Sequence, residues 1–378
     1  MPLPTDEQTM LREMAHNWAQ KDAPVNAFRA FRDGDDSKGF DSNAFGTVAE
    51  MGWTGTVIPE QYGGTDVGYA CMGVILEELG RTLVAAPLIG SAVGVASALK
   101  FAGTPDQKSD WLPRIAEGRA IAALAIDEGP RFAPESIAMS AVESGEGYLL
   151  SGKKVLVHEG QAADVFVVAA RTDGAPTDAS GVTLFVVPAS SAGITRSRRQ
   201  LLDSRGYADV VFDKVQVSAS AVLGDVGAGR VLLDKVLDRV TAAAAAEQLG
   251  VAIQAFETTL EYLKVREQFG QVIGTFQALQ HRAAKMFTDI QLARPTLDEA
   301  MHALDEDSEE APALVSLAKA TMNDLVNHIT REMIQMHGGI GMTDAHDAGF
   351  YIKRARALEA AFGSSAYHRE RFGRLHGL

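Results

Sequence analysis

The chain has 378 residues, 46% hydrophobic and 22% charged, which is too long for one ordinary core and has the composition of a globular protein of two or three domains. A formal net charge of −14 argues against a nucleic-acid partner, which would need a concentrated basic surface. Cys71 is the only cysteine, so no intrachain disulfide forms and a reducing, cytoplasmic compartment is expected.

The first residues, MPLPTDEQTMLREMAHNWAQ, turn polar at once and lack the basic start and apolar core of a signal peptide. From Thr5 to about Gly118 apolar residues recur at helical spacing. Leu11, Met14, Ala15 and Trp18 share one face, and VILEELGRTL repeats the pattern after a break at PEQYGG, residues 59–64. The longest uncharged run, residues 83–99, contains Pro87 and falls short of the roughly 18 apolar residues of a spanning helix, so it predicts a buried helix and no membrane association. Residues 1–118 are expected to form an α-helical domain.

Between Arg119 and about Gly224 the period becomes two. AIAALAID, GYLLSG, KKVLVH, ADVFVVAAR, GVTLFVVP and YADVVFDKVQVS are short runs divided by turns such as SGEG at 144–147 and TDGAP at 172–176. Strands so spaced, with no helices between them, predict an antiparallel barrel or sandwich over residues 119–224. After GDVG at 224–227 helical periodicity returns, and residues 225–378 are expected to form a helical bundle. DEDSEE at 305–310 reads as a solvated inter-helix loop. No metal site is expected.

Helix, then sheet, then helix, combined with five motifs, resembles the acyl-CoA dehydrogenase family over essentially the full length. The motifs are LEELGR around Glu78, WLPRIAEGRAIAALAI from Trp111, FDKVQVSASAVLG ending at Gly224, REQFG at 266–270 running on to Gln277, and QMHGG at 335–339. The resemblance implies an α+β multidomain fold: an N-terminal helical domain, a central antiparallel β-barrel or sandwich, and a C-terminal four-helix bundle. It also implies FAD-dependent α,β-desaturation of an acyl-CoA, with electrons passing to an electron-transferring flavoprotein. In that family FAD lies at a subunit interface, so a homo- or hetero-oligomer is expected. Arg266 would reach the pyrophosphate, Phe269 and Gln277 would lie near the adenosine, and Gln335 with the Gly338 and Gly339 backbone would hydrogen-bond the rest. A guanidinium matches phosphate oxygens, and backbone without side chains approaches a ligand closely.

The half that would hold the flavin ring departs from the family pattern. A Thr-Glu-Pro-Gly-Ala-Gly-Ser-Asp segment is replaced by Asp127-Glu128-Gly129-Pro130-Arg131-Phe132-Ala133-Pro134, and a Trp-Ile-Thr tripeptide by Leu156-Val157-His158. His158 either donates to the flavin edge or is a polar residue ending a strand. A chain that keeps the surface serving its neighbour's flavin while its own ring pocket is altered resembles one member of an unlike pair. Such pairs occur in the branch acting on steroid side-chain CoA thioesters, whose heterotetramers carry fewer flavins than chains. A flavin-free acyl-CoA-binding scaffold is the alternative.

The family reaction needs a base for the α-proton and donors for the enolate oxygen. At the place where many members carry the carboxylate stands Phe362; at the alternative helical place stands Val240. Glu247, seven residues on and on nearly the same helical face, is the candidate base, with apolar neighbours Ala243, Ala244, Gly250 and Val251 expected to raise its pKa. The other reading of Glu247 is a solvated or cation-paired glutamate. Glu359 is a second candidate. The alanines at 242–246 suit a wide pocket for a bulky acyl group, although alanine is also the best helix former. Arg196, Arg198, Arg199 and Arg205 form either a channel for the CoA phosphates or a solvated basic face.

Overall fold

The computed structural model describes residues 4–34 and 38–378. Its helices are α1 (Asp6–Lys21), α2 (Val25–Asp33), α3 (Ser42–Glu50), α4 (Tyr69–Arg81), α5 (Ala96–Ala102), α6 (Pro105–Ala116), α7 (Gly229–Val265), α8 (Gln277–Asp305), α9 (Ala311–His337), α10 (Ala348–Ala360) and α11 (Ser365–Leu375). The strands of the central region are β1 (Ala122–Ala125), β2 (Ser140–Ser144), β3 (Gly147–His158), β4 (Val165–Arg171), β5 (Val182–Pro188), β6 (Ile194–Arg199), β7 (Tyr207–Ser218) and β8 (Val222–Leu223). Thus a helical N-terminal region, a sheet and a helical C-terminal region follow in chain order. Contacts gather into two compact units: Met1–Ala30, Tyr69–Val84 and Thr241–Leu378 in one, Phe31–Gly68 and Ala85–Val240 in the other. Among the described residues no helix is long and apolar enough to cross a membrane.

In the sheet-bearing unit the strand order is β6-β7-β3-β2-β4-β5-β8, with β1 added beside β4. No closed barrel forms. Two halves meet only where Ser140 of β2 pairs with Arg171 of β4, and that pairing, like β1 with β4, is parallel rather than antiparallel. The halves face each other instead. Tyr148 of β3 meets Phe185 of β5 at 5.3 Å, and Phe166 of β4 meets Phe212 of β7 at 6.1 Å, although neither pair lies on adjacent strands. Those rings sit in one cluster of buried residues drawn from both halves, which makes this a sandwich-like packing. GYLLSG and KKVLVH form one continuous strand, β3, kinked at register shifts.

The uncharged run 83–99 is buried but not helical throughout. A π-helix starts only at Leu88, after Pro87, and α5 follows; proline clashes with a helix running into it. At the PEQYGG break Gly64 is obligatory, since a Cβ there would stand 2.0 Å from the carbonyl oxygen of Ile58.

The helical unit explains LEELGR. Buried Glu77 takes two bonds from Arg294 of α8, at 2.9 and 2.6 Å, and pairs with Arg12 of α1 at 2.8 Å, while Glu78 binds Arg12 and His16. Gly80 and Gly250 mark the crossing of α4 with α7: an added Cβ would come within 2.5 Å of the Glu247 carbonyl oxygen and 1.8 Å of the Glu77 carbonyl oxygen respectively. The segment 241–253 of α7 is buried on every side, so the alanine run serves close helix packing rather than a cavity wall. Asp305, the first residue of the acidic stretch, is more than solvated loop: its carboxylate accepts from the Tyr69 and Ala70 backbone N–H groups at 2.5 and 3.0 Å and starts α4.

Candidate functional site

The two C-terminal motifs come together in the helical unit. Tyr262, one turn before Arg266, stacks on His337 at 4.3 Å, and its hydroxyl donates to the His337 carbonyl at 3.3 Å. His346 also packs on His337, ring centroids 4.3 Å apart and tilted by 48°. His337 is buried between Gln335 and Gly338. Its Nδ1–H donates to the Met333 carbonyl at 2.7 Å, which leaves Nε2 as a buried acceptor with no hydrogen-bond partner. Burial first, with His346 adding to it, lowers the His337 pKa, so the ring is a neutral platform.

Around this platform lies an open surface. Arg266 leads into a hairpin (Glu267–Gln268 with Gln271–Val272) whose tip carries Phe269, 91% exposed and left-handed at φ +54°. Gln277, Gln335, Gly338 and Gly339 are also exposed. An added Cβ at Gly270, Gly338 or Gly339 would meet nothing, and Gly338 sits at φ +64°, ψ −139°, a conformation for glycine. An exposed guanidinium, an exposed ring and unobstructed backbone are groups that could hold the adenosine-diphosphate half of FAD.

The ring side, in the sheet-bearing unit, does not suit its partner group in the same way. The Val155 backbone N–H donates to the Asp127 carbonyl at 2.8 Å and so brings Asp127 beside Leu156. Burial pushes the Asp127 carboxyl up to about 6, against a weak bond from the Ala133 N–H and the nearby Lys154. Lys154 is fully buried and driven down to about 8 by that burial; its Nζ donates to the Ile126 carbonyl at 2.9 Å and to Glu128 at 2.7 Å. Glu128 in turn accepts from the Ala138 and Met139 N–H groups. This stapling fixes the segment and places a carboxyl, Asp127, where the family pattern has a threonine hydroxyl. Leu156 lies in the left-handed region, φ +51°, at a shift in register. His158 stands opposite Tyr207 across the strands, ring centroids 4.4 Å apart.

Glu247 meets a cation that its own helix does not reveal. Arg354 of α10 donates from Nε to Oε1 at 2.7 Å and from Nη2 to Oε2 at 2.6 Å, with both residues buried. The apolar surroundings expected from Ala243, Ala244, Gly250 and Val251 are therefore completed by a guanidinium, which holds a carboxylate in its charged form and makes it a poor proton acceptor. Glu359 pairs with Arg356. Val240 and Phe362 are both buried. In the arginine cluster, Arg196 donates to the Gln161 and Ala163 carbonyls, and Arg199 binds Asp209 at 2.5 Å, so these two charges are engaged within their own unit.

Sequence reading missed Tyr262, His346, Arg354 and a fully buried lysine, Lys319. The last left a trace, because Val315, Met322 and Val326 put it on the apolar face of its helix.

Models of the acyl-CoA dehydrogenase N-terminal, middle and C-terminal domains match residues 5–119, 127–218 and 227–375. The acyl-CoA dehydrogenase FadE27 of Mycobacterium tuberculosis is 30% identical over 348 residues, 89% of this chain and 88% of that one. Butyryl-CoA dehydrogenase from Megasphaera elsdenii has the same fold, with a TM-score of 0.92, 25% identity and 100% coverage of both chains. The steroid acyl-CoA dehydrogenase Tcur3481-Tcur3483 matches with a TM-score of 0.87 and 28% identity over 98% of each chain. With all three domains matched in order and a relative of that identity along most of the length, the chain belongs to the acyl-CoA dehydrogenase family, FAD-dependent oxidoreductases acting on the CH–CH bond of acyl-CoA thioesters.

Proposed function

We propose that this chain is the partner subunit of an acyl-CoA dehydrogenase assembly, lending its open C-terminal surface to the FAD of a related chain that holds the ring. The observation that carries the reading is the contrast between two halves. The cradle at Arg266, Phe269, Gln277, Gln335, Gly338 and Gly339 is free of obstruction. The counterpart at Asp127, Leu156 and His158 offers a carboxyl, an aliphatic chain and an engaged imidazole. When bound, the flavin accepts the β-hydrogen of the thioester as hydride. This chain's residues do the binding: Arg266 meets phosphate charge, and the glycine backbone hydrogen-bonds without steric cost. A bulky, steroid-derived acyl group fits the likeness to the Tcur3481-Tcur3483 enzyme, and an electron-transferring flavoprotein is the proposed acceptor.

A self-sufficient homo-oligomer with Glu247 as base is the second reading. The burial of Glu247 favours it, and the two-pronged bond to Arg354 opposes it.

The test is to purify the chain alone and then co-expressed with a related acyl-CoA dehydrogenase chain, reading flavin from the visible spectrum. The expected result is little FAD alone and a yellow complex with the partner. A full complement of tightly bound FAD in the isolated chain overturns the proposal. Absence of flavin in every combination points to the scaffold.

A further inference from the structure

The turn after α10 is held in a way that ordinary loop packing does not require. Phe362 is buried yet left-handed, φ +56°, an outlying conformation for a bulky residue. Gly363 follows at φ +107°, where a Cβ would stand 2.6 Å from the Nε2 of His368. Strain of this kind persists only where surroundings over-determine it, and it gathers at functional positions.

Those surroundings are three buried side chains aimed at the carbonyls of one short segment. Lys319 Nζ donates to the Leu358 carbonyl at 2.8 Å, to the Gly363 carbonyl at 3.5 Å and to Asn323 Oδ1 at 2.7 Å. In the charged form all three ammonium protons are thereby used, and none of these acceptors is a carboxylate; the neutral amine keeps two of the three bonds. Asn323 Nδ2 donates to the same Gly363 carbonyl at 3.2 Å, and its Oδ1 also receives Gln248 Nε2 at 2.7 Å, which fixes the amide's orientation. His368 closes the turn from α11: its Nε2–H donates to the Phe362 carbonyl at 2.8 Å. Burial pushes the imidazole pKa down to about 3, so the ring stays neutral, and the Phe362 carbonyl selects the tautomer with its proton on Nε2. Burying a lysine among neutral acceptors is costly unless its geometry is needed.

We propose that Lys319, Asn323 and His368 are positioning residues that lock the 358–363 segment and so set the place of the side chain at 362 against the acyl-CoA. The proposal rests on the reading that the assembly binds acyl-CoA. It makes Phe362 the apolar contact that the lock presents and the three polar residues the means of presentation. A merely structural role, capping the last carbonyls of α10, is the competing account.

The test uses the complete assembly and two readouts. Amide hydrogen exchange of residues 361–364 is expected to rise at least about tenfold in Lys319→Met and in His368→Leu, as for the loss of one net hydrogen bond. His368→Gln, whose amide nitrogen reaches the place of Nε2, should restore protection. Binding of octanoyl-CoA and of a steroid side-chain CoA thioester is then measured by calorimetry. Lys319→Met and Phe362→Ala should each weaken binding, and the double variant should be no weaker than the worse single one, as for residues acting through one path. Unchanged exchange at 361–364, unchanged binding, or additive losses would overturn the proposal. If the unmodified assembly binds neither thioester, the subunit reading fails by itself, and exchange at 361–364 alone decides whether the lock exists.

Discussion

At Glu247 the residues one helical turn away are Ala243, Ala244, Gly250 and Val251, whereas the counter-ion stands 107 residues away on another helix. Periodicity put this carboxylate on nearly the same helical face as Val240 and left a pocket-lining base and a solvated or cation-paired glutamate both open. It could not show what that face meets, because an ion pair between distant elements leaves no local pattern. The pair also changes what a substitution should do. Glu247→Gln leaves the Arg354 guanidinium buried without its charge partner, and breaking a buried pair in this way costs roughly 3–5 kcal/mol. Urea unfolding of the variant should show that loss; stability within about 0.5 kcal/mol of the native chain would mean that the pair contributes little and would revive the base.

Lys319 gives a second test at this scale, through pH. Burial first, against the field of Glu359, moves its pKa down to about 7 from 10.5. Between those values the folded chain holds a neutral amine while the unfolded chain holds a proton. Unfolding therefore takes up a proton in this window, and stability rises with pH from about 7 towards 10.5. Lys319→Met should flatten that rise in a denaturation series. An equal slope in the variant would assign it to other groups.

Among the elements, the long helices were legible because their apolar spacing runs over many turns, and the major strands because their alternation is strong. The short or polar ones were not. β2 and β8 are brief, and β6 is rich in arginine, so charge hid a strand whose outward residues are engaged by Asp209 and by loop carbonyls. Helix crossings were equally silent, since Gly250 reads as an ordinary weak spot in a helix until Glu77 is found against it. Gly250→Ala would drive a Cβ to 1.8 Å from that carbonyl oxygen and should destabilise by about 1–3 kcal/mol or more through overpacking. Gly349→Ala, in α10 with nothing within 4 Å, should be neutral or stabilise by up to about 1 kcal/mol. Thermal unfolding of the two variants compares them; equal shifts would contradict the close crossing.

For the whole molecule, the resemblance of short motifs anticipated the family, and the structure adds which of them lie together in the fold. REQFG and QMHGG converge through His337 of the second motif and Tyr262, which lies one turn before the first. The altered ring side was visible in the letters, but its stapling by Lys154 and Glu128 was not, because that depends on a loop folding back on β3. These facts support the proposed unlike pair, in which this chain would offer the open face at Arg266 and a related chain would supply the ring pocket.

The affinity of FAD for the purified two-chain assembly, with and without Arg266→Ala in this chain, tests that account most directly. Removing a charge-assisted contact of roughly 1.5–3 kcal/mol should weaken FAD binding about 10- to 150-fold while the assembly stays intact by size. Undiminished flavin affinity in the variant assembly would contradict it.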